Sequence, residues 1–352
     1  MFPRLLISSS KIMHNASVLR DICAQHDIRI TGITKCFCGD PQIARCFIES
    51  GITMLGDSRV QNLQRMTELP AQKWLIRIPM ISEATEAVQF ADVSLHSESA
   101  TIDAFDRAAA ILGKKHKIIL MADLGDIREG YVDYDRLVDV AKGIAAKKHV
   151  ELYGIGTNLT CFSYVQPDSE KMAELVWLAK RIAPYCENEP IISGGNSATI
   201  QLMLDGKIPP EVQTLRLGEG ILFGRERTGY TYLPNTFHDA FTLQAEIVEC
   251  KEKPSIPWGR VGHNAKGVSP SFVDKGNRLK AICAVGKQDI DPDYLVPLDR
   301  GVQVLGASGD HLVLDITDST QAYQVGGIID FTLTYTSALR AFTSPYISKI
   351  II

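Results

Sequence analysis

Between residues 28 and 217 the chain repeats one pattern eight times: a short apolar run, then an amphipathic stretch. The runs fall at 28–35, 51–56, 73–79, 92–96, 117–123, 150–156, 191–193 and 212–217. Helical patterns follow them, from Pro41 onward and at 59–69, 83–90, 97–112, 135–146, 169–183 and 198–204, with a short irregular one at 220–223. Continuous apolar strands alternating with amphipathic helices require a parallel sheet covered on its outer face. Eight such units in this length match a closed (β/α)8 TIM barrel. A doubly wound open sheet is the rival, but it needs a glycine-rich first turn such as GxGxxG, and none follows the first strands.

Two regions lie outside the repeat. Ahead of it, 5–7 reads as a short strand, and Ser8 or Ser9 caps a helix through Gln25. Behind it, composition shifts after Arg227 to a turn-rich connector at 228–235, then to short β-like runs at 241–248, 278–285, 302–305, 311–316 and 328–334. The expected architecture is α/β: a barrel over 1–230 and a small C-terminal all-β domain over 231–352.

Size and charge narrow the function classes. With 352 residues, 45% of them hydrophobic, the chain can bury a large core. A net charge of −4 without a basic stripe gives no support for a nucleic-acid partner. No apolar run approaches the roughly 18 residues of a membrane span, and the N-terminus lacks the pattern of a signal peptide. The eight cysteines are scattered, with no zinc-type or redox spacing. They read as reduced thiols of a cytoplasmic protein, Cys36 and Cys38 as small buried filler, and no metal site is expected.

In such barrels chemistry sits at the carboxyl ends of the strands. Strand one ends on Lys35. From that stretch alone two readings are open: a lysine that snorkels to solvent, or an amine forming a Schiff base with an aldehyde. Strand five runs into Asp123-Leu-Gly-Asp-Ile-Arg-Glu-Gly130 and strand six into Gly156-Thr-Asn-Leu-Thr160. Strand seven runs into Ser193-Gly-Gly-Asn-Ser197 and strand eight into Arg216-Leu-Gly-Glu-Gly220. The last two loops offer hydroxyls and bare backbone N–H groups to an anion. Loops after strands seven and eight are where barrels often bind phosphate; ordinary glycine turns are the alternative.

Taken in order, these segments resemble the alanine racemase family of fold-type III pyridoxal-phosphate enzymes, end to end, and most closely its ornithine/lysine racemase branch. Gly32-Ile-Thr-Lys35 occupies the place of the family's cofactor lysine. Gly56-Asp-Ser-Arg-Val-Gln-Asn62 and Ser193-Gly-Gly-Asn-Ser197 are similar to its second-strand and phosphate motifs. The segment around Arg128 looks like its DTGxxRxG stretch, Leu215-Arg216-Leu-Gly like its strand-eight arginine, and Gly306-Ala-Ser-Gly-Asp310 through Asp315 like its SMDxxxxD segment.

The resemblance implies that pyridoxal 5'-phosphate (PLP) is held covalently by Lys35. It implies a phosphate site at Ser193, Gly195, Asn196, Ser197, Gly218 and Gly220, and Arg216 facing the pyridine nitrogen. Arg128 is expected near the phenolic oxygen, with a surface ion pair as its alternative. Tyr335 stands where the family has a phosphate-contacting tyrosine, with a β-domain core position as its alternative. A head-to-tail homodimer follows from the family's shared site.

Racemisation needs an acid/base on each face of Cα. Lys35 serves one. In alanine racemases a tyrosine of a GYxDG motif serves the other; here that stretch is Ala284-Val-Gly-Lys-Gln-Asp289, and Lys287 stands in its place. Lys287 and His311 are the candidates for the second base, with rim positions as the plain alternative. Gly39 replaces a family tyrosine, and Asn158 stands where a histidine often stacks under the ring.

The expected activity is racemisation of a free amino acid, ornithine or lysine, with Asp289, Asp310 or Glu219 available to a distal ammonium. Alanine or serine racemisation is the alternative, as is a PLP-binding homeostasis protein, though those proteins resemble the barrel alone. A D-amino-acid dehydratase or aldolase would carry a His-x-Cys metal pair, and a decarboxylase its own cysteine motif; neither is found.

Overall fold

The computed structural model describes residues 1–263, 267, 269 and 271–352. Strand β1 (Arg4–Ile7) opens the chain and helix α1 (Ser9–Ala24) follows. Then come β2 (Arg29–Ile33), α2 (Pro41–Glu49), β3 (Met54–Asp57), α3 (Val60–Arg65), β4 (Gln72–Leu75) and α4 (Ala84–Phe90). The series continues with β5 (Val93–His96), α5 (Ser99–Leu112), β6 (His116–Met121), α6 (Tyr134–Ala145), β7 (Val150–Gly156) and α7 (Ser169–Ile182). It ends with β8 (Ile191–Ser193), α8 (Thr199–Leu204), β9 (Thr214–Leu217) and α9 (Glu219–Phe223). Strands β2 to β9 form a closed barrel, all neighbours parallel, sealed where β9 pairs with β2.

Side-chain alternation sorts the strands into two faces. Met54, Trp74, Val93, Leu95, Ile119 and Met121 form one buried cluster. Of their alternates in β5, His96 meets Thr101 and Phe105 of α5 instead and Ser94 meets His96, so the cluster faces the barrel interior.

The second unit contains β10 (Phe241–Pro254), β11 (Asn277–Cys283), β12 (Leu295–Pro297), β13 (Gln303–Ala307), β14 (Leu312–Asp315), β15 (Ile328–Leu333), helix α10 (Tyr335–Thr343) and β16 (Ser348–Ile351). Its strands lie in the order β12-β15-β10-β11-β14-β13, and β1 pairs with β10 and β16. The compact units are therefore Ser9–Ala240, and Met1–Ser8 with Phe241–Ile352. This differs from a division at 230/231. The connector through Ala240 goes with the barrel, because Asn15 of α1 binds it: Nδ2 donates to the Phe237 carbonyl at 2.8 Å and Oδ1 accepts from the Phe237 N–H at 2.7 Å. The first strand belongs to the β unit because its ladder partners lie there. That unit is also not purely β, since Ser337, Ala338, Ala341 and Phe342 give α10 a buried face.

One polar cluster lies under α5. Thr101 Oγ1 donates to the Glu98 carbonyl at 2.9 Å, so it accepts from His96 Nδ1 at 3.0 Å. His96 Nε2 is then bare and takes the Ser94 hydroxyl proton at 2.8 Å. Ser94 Oγ in turn accepts from His116 Nε2 at 2.7 Å. Every proton in the chain is assigned, and both imidazoles are neutral. Burial lowers His96 well below its ordinary value, with the His116 charge adding to the effect, and burial takes His116 from 6.5 to about 3.

Between those two pH values the unfolded chain binds more protons at His116 than the folded one, so stability falls on acidification. Denaturant melts are expected to weaken steadily from about pH 6.5 towards about pH 3, and less so in His116→Gln; a flat profile would contradict the neutral cluster. Ser94→Ala should cost about 1–3 kcal/mol near neutral pH, because it strands two buried imidazole nitrogens.

Candidate active site at the carboxyl ends of the barrel strands

Lys35 lies just past β2, in a single turn that places it exposed at the barrel mouth. What fixes the turn is the residue before it. Thr34 is fully buried, and its hydroxyl donates to Asp57 Oδ2 at 2.6 Å, at the end of β3. Asp57 Oδ1 also accepts from Asn62 Nδ2 and the Arg59 N–H, both at 2.9 Å. Burial raises the Asp57 carboxyl pKa despite these donors. The turn then passes through Gly39 at φ +61, where a Cβ would meet the Asn62 Cβ at 2.7 Å and its carbonyl oxygen at 2.8 Å. A tyrosine at this position would displace α3, which is the physical reason for the glycine. Cys36 is buried beside the turn, and burial holds its thiol protonated.

On the neighbouring strand, Arg216 lies next to the end of β9 and is only 4% exposed. Nη1 donates to Ser193 Oγ at 2.5 Å and Nη2 to the Thr157 carbonyl at 2.6 Å. Burial brings its pKa down to about 10, still well above neutrality, so the guanidinium keeps its charge. Among the described residues no carboxylate pairs with it.

The loops after β7 and β8 are stitched together by Asn196. Its Nδ2 donates to Asn158 Oδ1 at 3.0 Å and the Leu159 carbonyl at 2.9 Å, with Cys161 Sγ at 3.5 Å, while Oδ1 caps the Ala198 N–H at 2.8 Å. Ser197 Oγ accepts from the Gly220 N–H at 3.1 Å, which joins the β8 and β9 loops. Gly195, at φ +109, makes the bend between them. Three buried polar atoms at this mouth have no hydrogen-bond partner among the described residues: Thr157 Oγ1, Asn158 Nδ2 and Arg227 Nε. Buried polar atoms are costly unless bonded, and together with the unpaired Arg216 charge they suit a polar, anionic ligand. The residues present therefore fit PLP.

Two expected roles are corrected by what the side chains touch. Glu219, 6% exposed, is held by Arg225, whose Nη2 and Nε donate to Oε1 at 2.6 and 2.9 Å, with Arg227 at 3.7 Å from Oε2. It is neutralised and not available to a substrate ammonium. Asp289 is buried in the β unit, where Ser344 donates to Oδ1 at 2.6 Å. It is a structural anchor for the C-terminal segment. Arg128 is exposed and ion-paired with Glu129, Nη2 to Oε1 at 2.5 Å.

Within the β unit, two loops cross at Gly286, where a Cβ would meet the Gly309 carbonyl oxygen at 2.2 Å. The Lys287 N–H donates to the Ser308 carbonyl at 2.8 Å, and Gln288 Nε2 donates to Asp310 Oδ1 at 2.9 Å. Lys287, Asp310 and His311 are thus gathered, all exposed, on one tip. Tyr335 opens α10, half-buried. Sequence reasoning missed Thr34, Asp57, Thr157, Arg225, Arg227 and Gln288. Only the alternation Arg225-Glu226-Arg227 just past a glycine cap carried a readable signal.

A family model described as "Alanine racemase, N-terminal domain" matches residues 7–226. The ornithine racemase of Acetoanaerobium sticklandii is 39% identical over 350 residues, covering 99% of each chain. The lysine racemase of Thermotoga maritima is 37% identical over 353 residues, covering 99% of this chain and 98% of its own. A solved structure titled alanine racemase from Bartonella henselae with covalently bound pyridoxal phosphate superposes with a TM-score of 0.72 at 15% identity, covering 99% of each chain.

Thr34→Val keeps the side-chain shape but removes the donor to Asp57. Chemical denaturation should read a loss of about 1–3 kcal/mol. A variant as stable as the parent would mean the Thr34–Asp57 bond does not hold the Lys35 turn.

Proposed function

This chain belongs to the alanine racemase family, and from that premise we propose that it is a PLP-dependent racemase of a free diamino acid, ornithine or lysine. The observation that carries the reading is full-length likeness, β unit included, to two relatives whose names specify those substrates. A protein that only stores the cofactor would need the barrel alone.

When bound, PLP supplies an electron-withdrawing ring that acidifies the substrate Cα proton. In this reading Lys35 is the attachment point and the acid/base on one face. Arg216 donates towards the ring nitrogen and, with a pKa near 10, does not hand over its proton. An arginine that keeps its proton there would leave the ring nitrogen unprotonated and would favour simple Cα proton exchange over transamination. Ser193, Gly195, Asn196, Ser197, Gly218 and Gly220 would hold the phosphate, and Asn158 and Arg128 would line the ring.

The opposite face is assigned to the tip that carries Lys287 and His311, supplied by a second copy in a head-to-tail homodimer, with Tyr335 joining the phosphate shell. Asp310, exposed and oriented by Gln288, is the carboxylate left to receive the distal ammonium. No helix of the described residues is long and apolar enough to cross a membrane. The eight free cysteines accord with a cytoplasmic location.

Incubation with a panel of L-amino acids, followed by chiral chromatography, should yield D-ornithine or D-lysine, with deuterium entering at Cα from heavy water. Lys35→Ala should stay colourless with PLP and lose about 100- to 10,000-fold or more in rate. No Cα exchange with any amino acid would sink the reading. Sedimentation should give a dimer, and Asp310→Asn should raise KM for diamino acids more than for alanine. A fully active monomer would remove the shared-site assignment.

A further inference from the structure

The phosphate loops have a charge imbalance. Ser193-Gly-Gly-Asn-Ser197 and Gly218-Glu-Gly220 offer hydroxyls and N–H groups but no cation, and they contain one carboxylate. A phosphate monoester brings about −1.5 to −2 charges near neutral pH. Arg216 is already committed to Ser193 and Thr157.

Two further arginines stand on this rim. Arg225 satisfies Glu219 with two hydrogen bonds to Oε1 and lies 5.1 Å over the Tyr230 ring. Arg227 reaches Glu219 only at 3.7 Å, beyond hydrogen-bond length, and its buried Nε has no hydrogen-bond partner among the described residues. Glu219 accepts both its hydrogen bonds from Arg225, and the Glu226 carboxylate is taken up by N–H and hydroxyl groups, so Arg227 has no hydrogen-bonded carboxylate among the described residues. A partly buried cation without a hydrogen-bonded anion is costly.

Arg227 is also held in place. The residue before it, Glu226, is 1% exposed and accepts from the Gly229 N–H at 2.9 Å and from the Thr231 N–H and hydroxyl at 2.8 and 2.9 Å. The residue after it, Thr228, donates its hydroxyl to the Ala198 carbonyl at 2.8 Å. Ala198 adjoins Ser197, which binds Gly220. Arg227 is therefore anchored, through its neighbour, to the peptide that follows the phosphate loop.

We propose that Arg227 is the cationic partner of the cofactor's phosphate dianion, with Glu219 and Arg225 as the pair that positions it. The inference rests on the PLP reading of this mouth and extends it to a group outside both glycine loops. Arg225 neutralises the carboxylate that would repel the phosphate, and Arg227 supplies the attraction.

Pyridoxal, which lacks the phosphate, separates this role from a structural one. The full-length protein, stripped of cofactor, is titrated with PLP and with pyridoxal while the absorbance of the Lys35 imine is followed. Arg227→Gln should weaken PLP by about 10- to 100-fold and leave pyridoxal unchanged, and Arg227→Lys should recover part of the loss. Equal weakening of both vitamers, or of neither, overturns the assignment. A parent protein that takes up neither vitamer overturns the PLP reading itself and this inference with it, so the two failures are told apart.

Discussion

The barrel closes where β9 pairs with β2, Thr31 against Arg216 and Gly32 against Leu217. Everything at the mouth depends on that seam. It turns two segments at opposite ends of a long stretch of chain into neighbours, so Lys35 and the Gly218-Glu-Gly220 loop share a rim. An open sheet with the same strands would leave Arg216 and Lys35 on opposite edges. Closure is driven by the interior apolar cluster, which no flat arrangement of these strands could bury on all sides.

The mouth mixes two ways of handling charge. Buried carboxylates are spent on structure: Asp57 holds the Lys35 turn and Glu226 organises the loop after α9. Buried or half-buried cations are held more loosely: among the described residues Arg216 forms no ion pair with a carboxylate, and Arg227 reaches Glu219 only at 3.7 Å.

Much of this was legible from residue order, because period and loop chemistry are local properties. The eight strand–helix units follow from apolar runs of strand length. Lys35, Arg216 and the Ser193–Ser197 loop stand out because they sit where apolar runs stop. What was not legible depends on contacts far along the chain. Nothing local says that Asp289 meets Ser344. A four-residue strand such as β1 carries no mark of which sheet it will join. The helix α10 was overlooked although its run from Ser337 to Phe342 is helix-compatible, because it directly follows a strand and no glycine or proline separates the two. The glycine at position 39 was noticed as a departure, but its cause, the backbone of α3, needed coordinates.

The placement of β1 has a consequence for biosynthesis. Its ladder partners, β10 and β16, lie beyond residue 240, and the second of them ends at Ile351. This strand therefore leaves the ribosome well before either of its partners. The barrel segment emerges between them, and domains generally condense as they emerge. Until β10 follows, Leu5 and Ile7, both fully buried in the finished molecule, are left without their ladder partners on the nascent chain.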